Sequence, residues 1–181
     1  MRIKDKKKII FIPIILILLF ILYFFNNNTI NIIRGDSMYP TLKNNELFLT
    51  KNNSQIDVGD IVVFETPLDW DDSPKLLIKR VLAKQGDKVE IKGDSLYINN
   101  KKILDISNDY YSHNDKSFVI DKDYYFLIGD NTPNSRDSLF YMINYEKVNF
   151  LINKKQIVGV GKKDSEKKEI YRYVETYNKQ K

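Results

Sequence analysis

The sequence predicts a mainly β protein: an antiparallel β body with a small inserted lobe, preceded by one N-terminal transmembrane helix. Three observations predict it: short runs of β-branched and aromatic residues, turn residues between most of them, and one unbroken apolar stretch near the N-terminus. A length of 181 residues fits one principal core or a core with a small lobe. With 43% hydrophobic and 29% charged residues the composition is globular, and seven Gly and five Pro are too few for a collagen-like or Pro/Gly-rich chain. The absence of cysteine excludes a disulfide scaffold, a thiolate zinc site and a cysteine nucleophile.

Residues 1–8 carry Arg2, Lys4, Lys6, Lys7 and Lys8 against Asp5, which accounts for +4 of the formal net charge of +5. From Lys162 onward seven basic residues face four acidic ones, so the body between is slightly acidic and lacks the basic footprint that binding nucleic acid requires. Ile9 to Phe25 is a run of 17 residues without charge, at the lower edge of the ~17–25 that cross a bilayer as a helix. Tyr23, Phe24 and Phe25 supply interfacial anchors, no Ala-x-Ala site follows, and a core helix would be amphipathic, so the run reads as an uncleaved anchor. Pro13 is tolerated near its first turn. The preceding positive cluster puts the N-terminus in the cytoplasm. The expected organisation is a cytoplasmic segment at 1–8, an anchor at 9–25 in the cell membrane, an extracytoplasmic body at 26–161 and a polar tail at 162–181, with the lipid bilayer as a partner.

The body reads as short strands at Leu47–Leu49, Asp60–Phe64, Leu76–Leu82, Lys88–Ile91, Ser95–Ile98, Tyr124–Ile128 and Gln156–Val160, most of them separated by Gly-containing turns such as Val58-Gly59-Asp60 and Gln85-Gly86-Asp87. The polar stretch Asn99–Asp123, with the single histidine His113, reads as an insertion, placing a small lobe at about 93–123. Trp70 lies in an acidic loop and is expected at the surface. The tail, with Ile170, Tyr171, Tyr173 and Val174 as its few apolar residues, fits a solvated segment better than a helix on the membrane.

Chemistry is constrained by what is missing. A Ser-His-Asp triad would need His113, whose setting is that of an exposed loop, and no spaced acidic cluster suggests a metal site. A serine activated by a neutral lysine remains. Gly35-Asp36-Ser37-Met38-Tyr39-Pro40-Thr41-Leu42 sets Ser37 between a flexible Gly and a rigid Pro, although alone it fits an ordinary turn. Lys79 sits in a strand where period two gives it Leu77, Val81 and Ala83 as same-face neighbours. An ordinary lysine is neutral in only about one molecule in 2,500 at pH 7, so a base here needs desolvation worth roughly 3 kcal/mol. On strand pattern alone, a lysine guarding an edge or snorkelling to water fits better.

Taken together, the octapeptide at 35–42, Ile78-Lys79-Arg80-Val81 followed by Gly86-Asp87, and Gly129-Asp130-Asn131-Thr132-Pro133-Asn134-Ser135-Arg136-Asp137-Ser138 resemble the successive motifs of bacterial type I signal peptidases (leader peptidases), in the family's order and behind an N-terminal anchor. The resemblance runs from the anchor to about Val160. It implies a twisted antiparallel β body with a smaller lobe, Ser37 as nucleophile, Lys79 as general base and Ser135 as the hydroxyl that orients the lysine. It also implies that Arg80, Asp130, Asn131 and Asp137 brace the site. The endoplasmic-reticulum-type relatives carry histidine where this chain has Lys79, which indicates the bacterial Ser/Lys type.

The implied activity is removal of signal peptides from secretory precursors with small residues, typically Ala, one and three positions before the cut. No cofactor is implied, no nucleic acid is a partner, and a monomer is the expectation. Ile33, Met38, Leu42, Leu77 and Ile78 are candidates for shallow substrate pockets, with core packing as the competing role, and the oxyanion is assigned to backbone N–H groups of Ser37 and Gly35. The chain departs from the family pattern at Ala83-Lys84-Gln85, where a Gly and a Pro are usual, and at Leu139, where many members have an Arg to pair with Asp137; Arg80 or Arg136 could substitute. A maturation peptidase dedicated to one conjugation, pilus or peptide-export system, and a catalytically silent assembly factor, are the alternatives.

Overall fold

In a computed structural model of the chain, residues 3–67, 70, 75–106, 115–145 and 149–179 are described, with backbone alone over 3–10. Helix α1 (Ile3–Asn27) leads into strands β1 (Asn28–Ile32), β2 (Leu47–Lys51), β3 (Ile61–Glu65) and β4 (Leu76–Lys84). Next come β5 (Lys88–Lys92), β6 (Ser95–Ile98), β7 (Lys101–Asp105), β8 (Lys116–Val119) and β9 (Tyr124–Ile128). The short helix α2 (Ser138–Asn144), β10 (Ile152–Asn153), β11 (Ile157–Gly161) and α3 (Lys168–Lys179) complete the chain. The strands form a seven-stranded sheet ordered β1-β2-β11-β3-β4-β9-β10 and a four-stranded sheet ordered β7-β6-β5-β8, with every pairing antiparallel. The mainly β, antiparallel expectation therefore holds. The second sheet runs from Lys88 to Val119 and so takes in the predicted runs at Lys88–Ile91 and Ser95–Ile98; the expected lobe at about 93–123 overlaps it. His113 lies outside the described residues.

The central pair β3–β4 sets the site's coordinates. Because side chains alternate along a strand and directly opposed residues share a face, the register Val62↔Lys79 and Phe64↔Leu77 places Lys79 on the face of the main core. Ile61↔Arg80 and Val63↔Ile78 look the other way, where Ile61 joins Ile33, Met38, Leu42 and Phe48 in a second small cluster. Strand β9 pairs with β4 only from Arg80↔Ile128 onward, so among the described residues no strand covers the β9 side of residues 76–79.

One expectation changes. The tail is not a solvated segment: α3 lays Ile170, Tyr173, Val174 and Tyr177 along one helical stripe, Ile170 and Tyr173 are buried, and the Tyr177 hydroxyl donates to Asp87 at 3.0 Å. Gly59, at φ +99°, lies directly under Val174, where a Cβ would collide with that side chain. The run expected as an anchor lies within α1. Among the described residues no helix is long and apolar enough to cross a membrane. The side chains of α1 are described from Phe11 onward, which leaves Ile9 and Ile10 of the apolar run outside that part.

Packing of α3 has a measurable consequence. Ile170→Ala should lower unfolding free energy by about 2–4 kcal/mol, as for other fully buried aliphatics, whereas Tyr171→Ala on the outer side should stay within about 0.5 kcal/mol. Urea titrations of the two variants check this; equal, small effects would return the tail to solvent.

Candidate active site

Ser37 occupies the turn between β1 and β2. The turn is closed at its base by Ile33 N–H to Glu46 O (2.9 Å) and Asn45 N–H to Ile33 O (2.8 Å), and Gly35 takes the φ of +81° that the reversal needs. Met38 and Leu42 plug the turn into the second core cluster. Its backbone is gripped from the β9–α2 connection: Asn131 N–H donates to Ser37 O at 3.0 Å and Asn131 Nδ2 to Asp36 O at 3.0 Å. The serine is thus held by its carbonyl.

Lys79 is 2% exposed, and its Nζ lies 2.8 Å from Ser37 Oγ and 3.0 Å from Ile78 O. Burial pulls its pKa down from 10.5 to about 8, against the opposing pull of Asp137. At pH 7 that raises the neutral fraction from about one in three thousand to about one in ten. The pair is a serine hydroxyl in contact with an amine that can accept its proton.

Arg80, one residue on and facing away, is 1% exposed and grips Asp130 twice, Nε to Oδ1 at 2.9 Å and Nη2 to Oδ2 at 2.8 Å. Its Nη1 donates to Gly59 O at 2.6 Å and Lys163 O at 2.8 Å. Asp130 also accepts from the Thr41 and Ser165 hydroxyls. Asp137 caps α2 through Phe140 N–H (3.1 Å) and accepts from Gly129 N–H at 2.9 Å. Its burial raises the carboxyl pKa, opposed chiefly by those N–H groups, the nearby Ser135 hydroxyl and the Lys79 charge.

Several expected roles are redrawn by this geometry. Neither Arg80 nor Arg136 pairs with Asp137: Arg80 belongs to Asp130, Arg136 is exposed at the cleft, and Leu139 is buried in the core, so amide N–H groups serve Asp137 instead. Ser135 does not hydrogen-bond to Lys79; its buried Oγ lies near the Asp137 carboxylate without a close hydrogen bond among the described residues, while Ile78 O orients the amine. The Gly35 N–H already donates to Asn44 Oδ1 at 3.1 Å, so of the two backbone groups expected to hold an oxyanion only that of Ser37 is left. The altered turn after β4 closes normally around Gly86, with Lys84 N–H on Asp87 Oδ2 at 2.9 Å.

A cleft of about 340 Å³ opens beside the pair, lined among others by Ser37, Lys79, Leu77, Trp70, Tyr141 and Arg136. Of the five apolar pocket candidates only Leu77 lines it. Ile33, Met38 and Leu42 are buried with Phe48 and Ile61, and Ile78 packs on that same cluster. Trp70 is no surface residue. It is 7% exposed, stacks on Tyr141 with centroids 4.2 Å apart, and donates its indole N–H to Asn149 O at 2.6 Å. The size of an indole was the one sequence signal for its burial. Gly129 was also missed: a Cβ there would collide with the Ser37 carbonyl and with Ser135.

Comparison with known proteins gives the family. The family model described as signal peptidase, peptidase S26, matches residues 3–163. Signal peptidase I S of Bacillus subtilis (strain 168) is 37% identical over 147 residues, 72% of this chain and 73% of the relative. Signal peptidase IB of Staphylococcus aureus (strain N315) is 33% identical over 150 residues, 70% of this chain and 72% of the relative. A solved signal peptidase I from Enterococcus faecalis V583 is 22% identical and superposes with a TM-score of 0.40 over 60% of this chain and 97% of that one.

Gly129→Ala should push the Ser37 carbonyl off its Asn131 contact and lower the rate at which a serine-directed acylating probe labels Ser37 by about a hundredfold, the cost of a misplacement near 1 Å. Tyr171→Ala, on the exposed side of α3, should leave labelling at the wild-type rate. Mass spectrometry of the labelled protein reads both; unimpaired labelling of the Gly129 variant would disprove the steric role.

Proposed function

The chain belongs to the signal peptidase family, peptidase S26, and we propose that it is a membrane-anchored serine endopeptidase that removes N-terminal signal peptides from secreted precursors with a Ser37/Lys79 dyad. The observation that carries this reading is the 2.8 Å contact between Ser37 Oγ and the buried, readily neutral Lys79 amine. The amine takes the Ser37 proton as Oγ attacks the carbonyl at the cleavage site, and the Ser37 N–H stabilises the developing oxyanion. Lys79, now protonated, gives its proton to the leaving amine. A water then attacks the acyl-enzyme with the same lysine as base, regenerating Ser37. The Ser135 hydroxyl, buried and without a close hydrogen bond among the described residues, offers the lysine a hydrogen bond once Oγ is acylated.

The substrate runs as an extended strand along the β9 side of residues 76–79, pairing through backbone groups. Leu77 and the Trp70–Tyr141 stack wall the cleft, which favours small side chains beside the cut. Residues 9–25 anchor the chain, with 1–8 in the cytoplasm and the body from 26 outside. Directly after α1, the opposed pairs Ile30↔Leu49 and Ile32↔Leu47 expose four large apolar side chains on one face at the sheet edge, a surface suited to the bilayer. Both features keep the dyad near a membrane-held substrate, at raised effective concentration.

A precursor with an Ala-x-Ala signal, incubated with detergent-solubilised protein and analysed by mass spectrometry, should be cut once after the second Ala. Ser37→Ala and Lys79→Ala should abolish the cut with the fold intact, and Lys79→Arg should fail as well because guanidinium stays charged. An active Lys79→Ala enzyme would sink the dyad.

The pH dependence follows in sign from the lysine. The active form is the neutral one, so kcat/KM should climb about tenfold per pH unit through pH 6–7 and level off above about 8. A profile flat across pH 6–8 would remove Lys79 as the base.

A further inference from the structure

The family match ends at residue 163, yet the chain just beyond it is built into the back of the site. Asp130 is 1% exposed and its carboxylate accepts four hydrogen bonds: two from Arg80, one from Thr41 and one, at 2.8 Å, from Ser165 Oγ. Three of these fall on Oδ2 and one, from Arg80 Nε, on Oδ1, and together they fix the plane of the carboxylate. The Ser165 hydroxyl is itself 2.8 Å from Asp130 and receives Lys167 N–H at 3.2 Å, while Thr41 Oγ1 receives Glu166 N–H at 3.0 Å. Lys163 O takes Arg80 Nη1, and Lys167 Nζ reaches Thr132 Oγ1 at 2.7 Å. Residues 163–167 thus tie together β4, the turn after Ser37 and the β9–α2 connection. Buried Ile170 and Tyr173 moor the far end through α3.

We propose that Ser165 is a positioning residue for the nucleophile, acting through Asp130. Asp130 is covalently joined to Asn131, which holds the Ser37 and Asp36 carbonyls. A shift of Asp130 as a whole moves the peptide unit it shares with Asn131, and Asn131 carries the Ser37 carbonyl. Oγ then leaves its 2.8 Å contact with the lysine. Ser165 closes this linkage because it is the one donor to Asp130 supplied from beyond residue 163. Arg80 secures the charge of Asp130, and Ser165 and Thr41 secure its orientation.

The inference rests on the peptidase reading above, and the test keeps the two apart. Steady-state cleavage of an Ala-x-Ala precursor is measured for the full chain and for Ser165→Ala, Ser165→Val and Ser165→Thr, at a temperature where circular dichroism shows each to be folded. Ser165→Ala and Ser165→Val should lose about tenfold to a hundredfold in kcat with KM within twofold, and Ser165→Thr, which restores the hydroxyl, should recover most of it. Wild-type kcat in the Ala and Val variants overturns the proposal, as does a Thr variant no better than Val, which would mean packing alone. If neither Ala nor Val folds, Ser165→Cys replaces them, keeping the volume with a poor donor, and wild-type kcat there overturns the proposal equally. A wild-type chain that cuts no precursor instead counts against the peptidase reading, and the same variants are then compared by acylation of Ser37, where equal rates overturn the role of Ser165.

Discussion

A lysine can serve as a base near neutral pH only where water is kept from it, and most of this structure follows from keeping the Lys79 amine dry. Desolvation of an ammonium is costly, so the site is placed on an inner strand rather than a loop, with β3 on one side and core residues on the same face. The dry amine still needs partners. It has two, the Ile78 carbonyl from its own strand and the Ser37 hydroxyl. Had the surroundings offered a closely paired carboxylate, the lysine would have stayed charged. Asp137 is near enough to oppose the shift, but each of its oxygens already accepts an amide N–H, from Gly129 and Phe140.

The neighbouring arginine solves a different problem on the opposite face. Period two separates Lys79 from Arg80, so one strand carries a cation that must lose its charge and another that never does. Burying Arg80 requires a full set of acceptors, and it finds them in Asp130, Gly59 O and Lys163 O. A buried ion pair of this kind contributes little net stability, because desolvation offsets much of the attraction. Its geometry is the useful product: a bidentate pair fixes the β9 exit relative to β4, and the serine turn hangs from that exit.

What was legible in the sequence was local. The motif resemblance pointed to Ser37 and Lys79, which the fold brings to 2.8 Å, where strand pattern alone favoured an edge lysine, and seven of the strands came from alternation and turn residues. What was not legible depends on contacts between distant segments. Trp70 sits among acids yet is buried, because it stacks on Tyr141, 71 positions on. Ile33, Met38 and Leu42 have the composition of a pocket and turn out to be the plug of the serine turn, since apolarity alone does not say which side of a loop faces a cavity. Gly129 lacks a side chain to advertise its role, which is to let two backbones approach. The stripe of α3 was countable, at Ile170, Tyr173, Val174 and Tyr177, but it is short and embedded in charge, so its polarity outweighed its period.

The parts of the site therefore divide by how they are held. The proposed base, Lys79, is fixed by a sheet, with its alignment set by register. The proposed nucleophile, Ser37, is on a turn, and turns are compliant, so its precision has to be imported. It is imported through the backbone, at the Ser37 and Asp36 carbonyls, which leaves the reactive hydroxyl unconstrained except by the lysine. A side chain that must change partners during a reaction is better positioned this way than by bonds to its own oxygen, because those would have to break at each turnover. The cost is dependence on whatever holds Asn131, and that dependence reaches back through Asp130 to Arg80, Thr41 and the segment that follows β11.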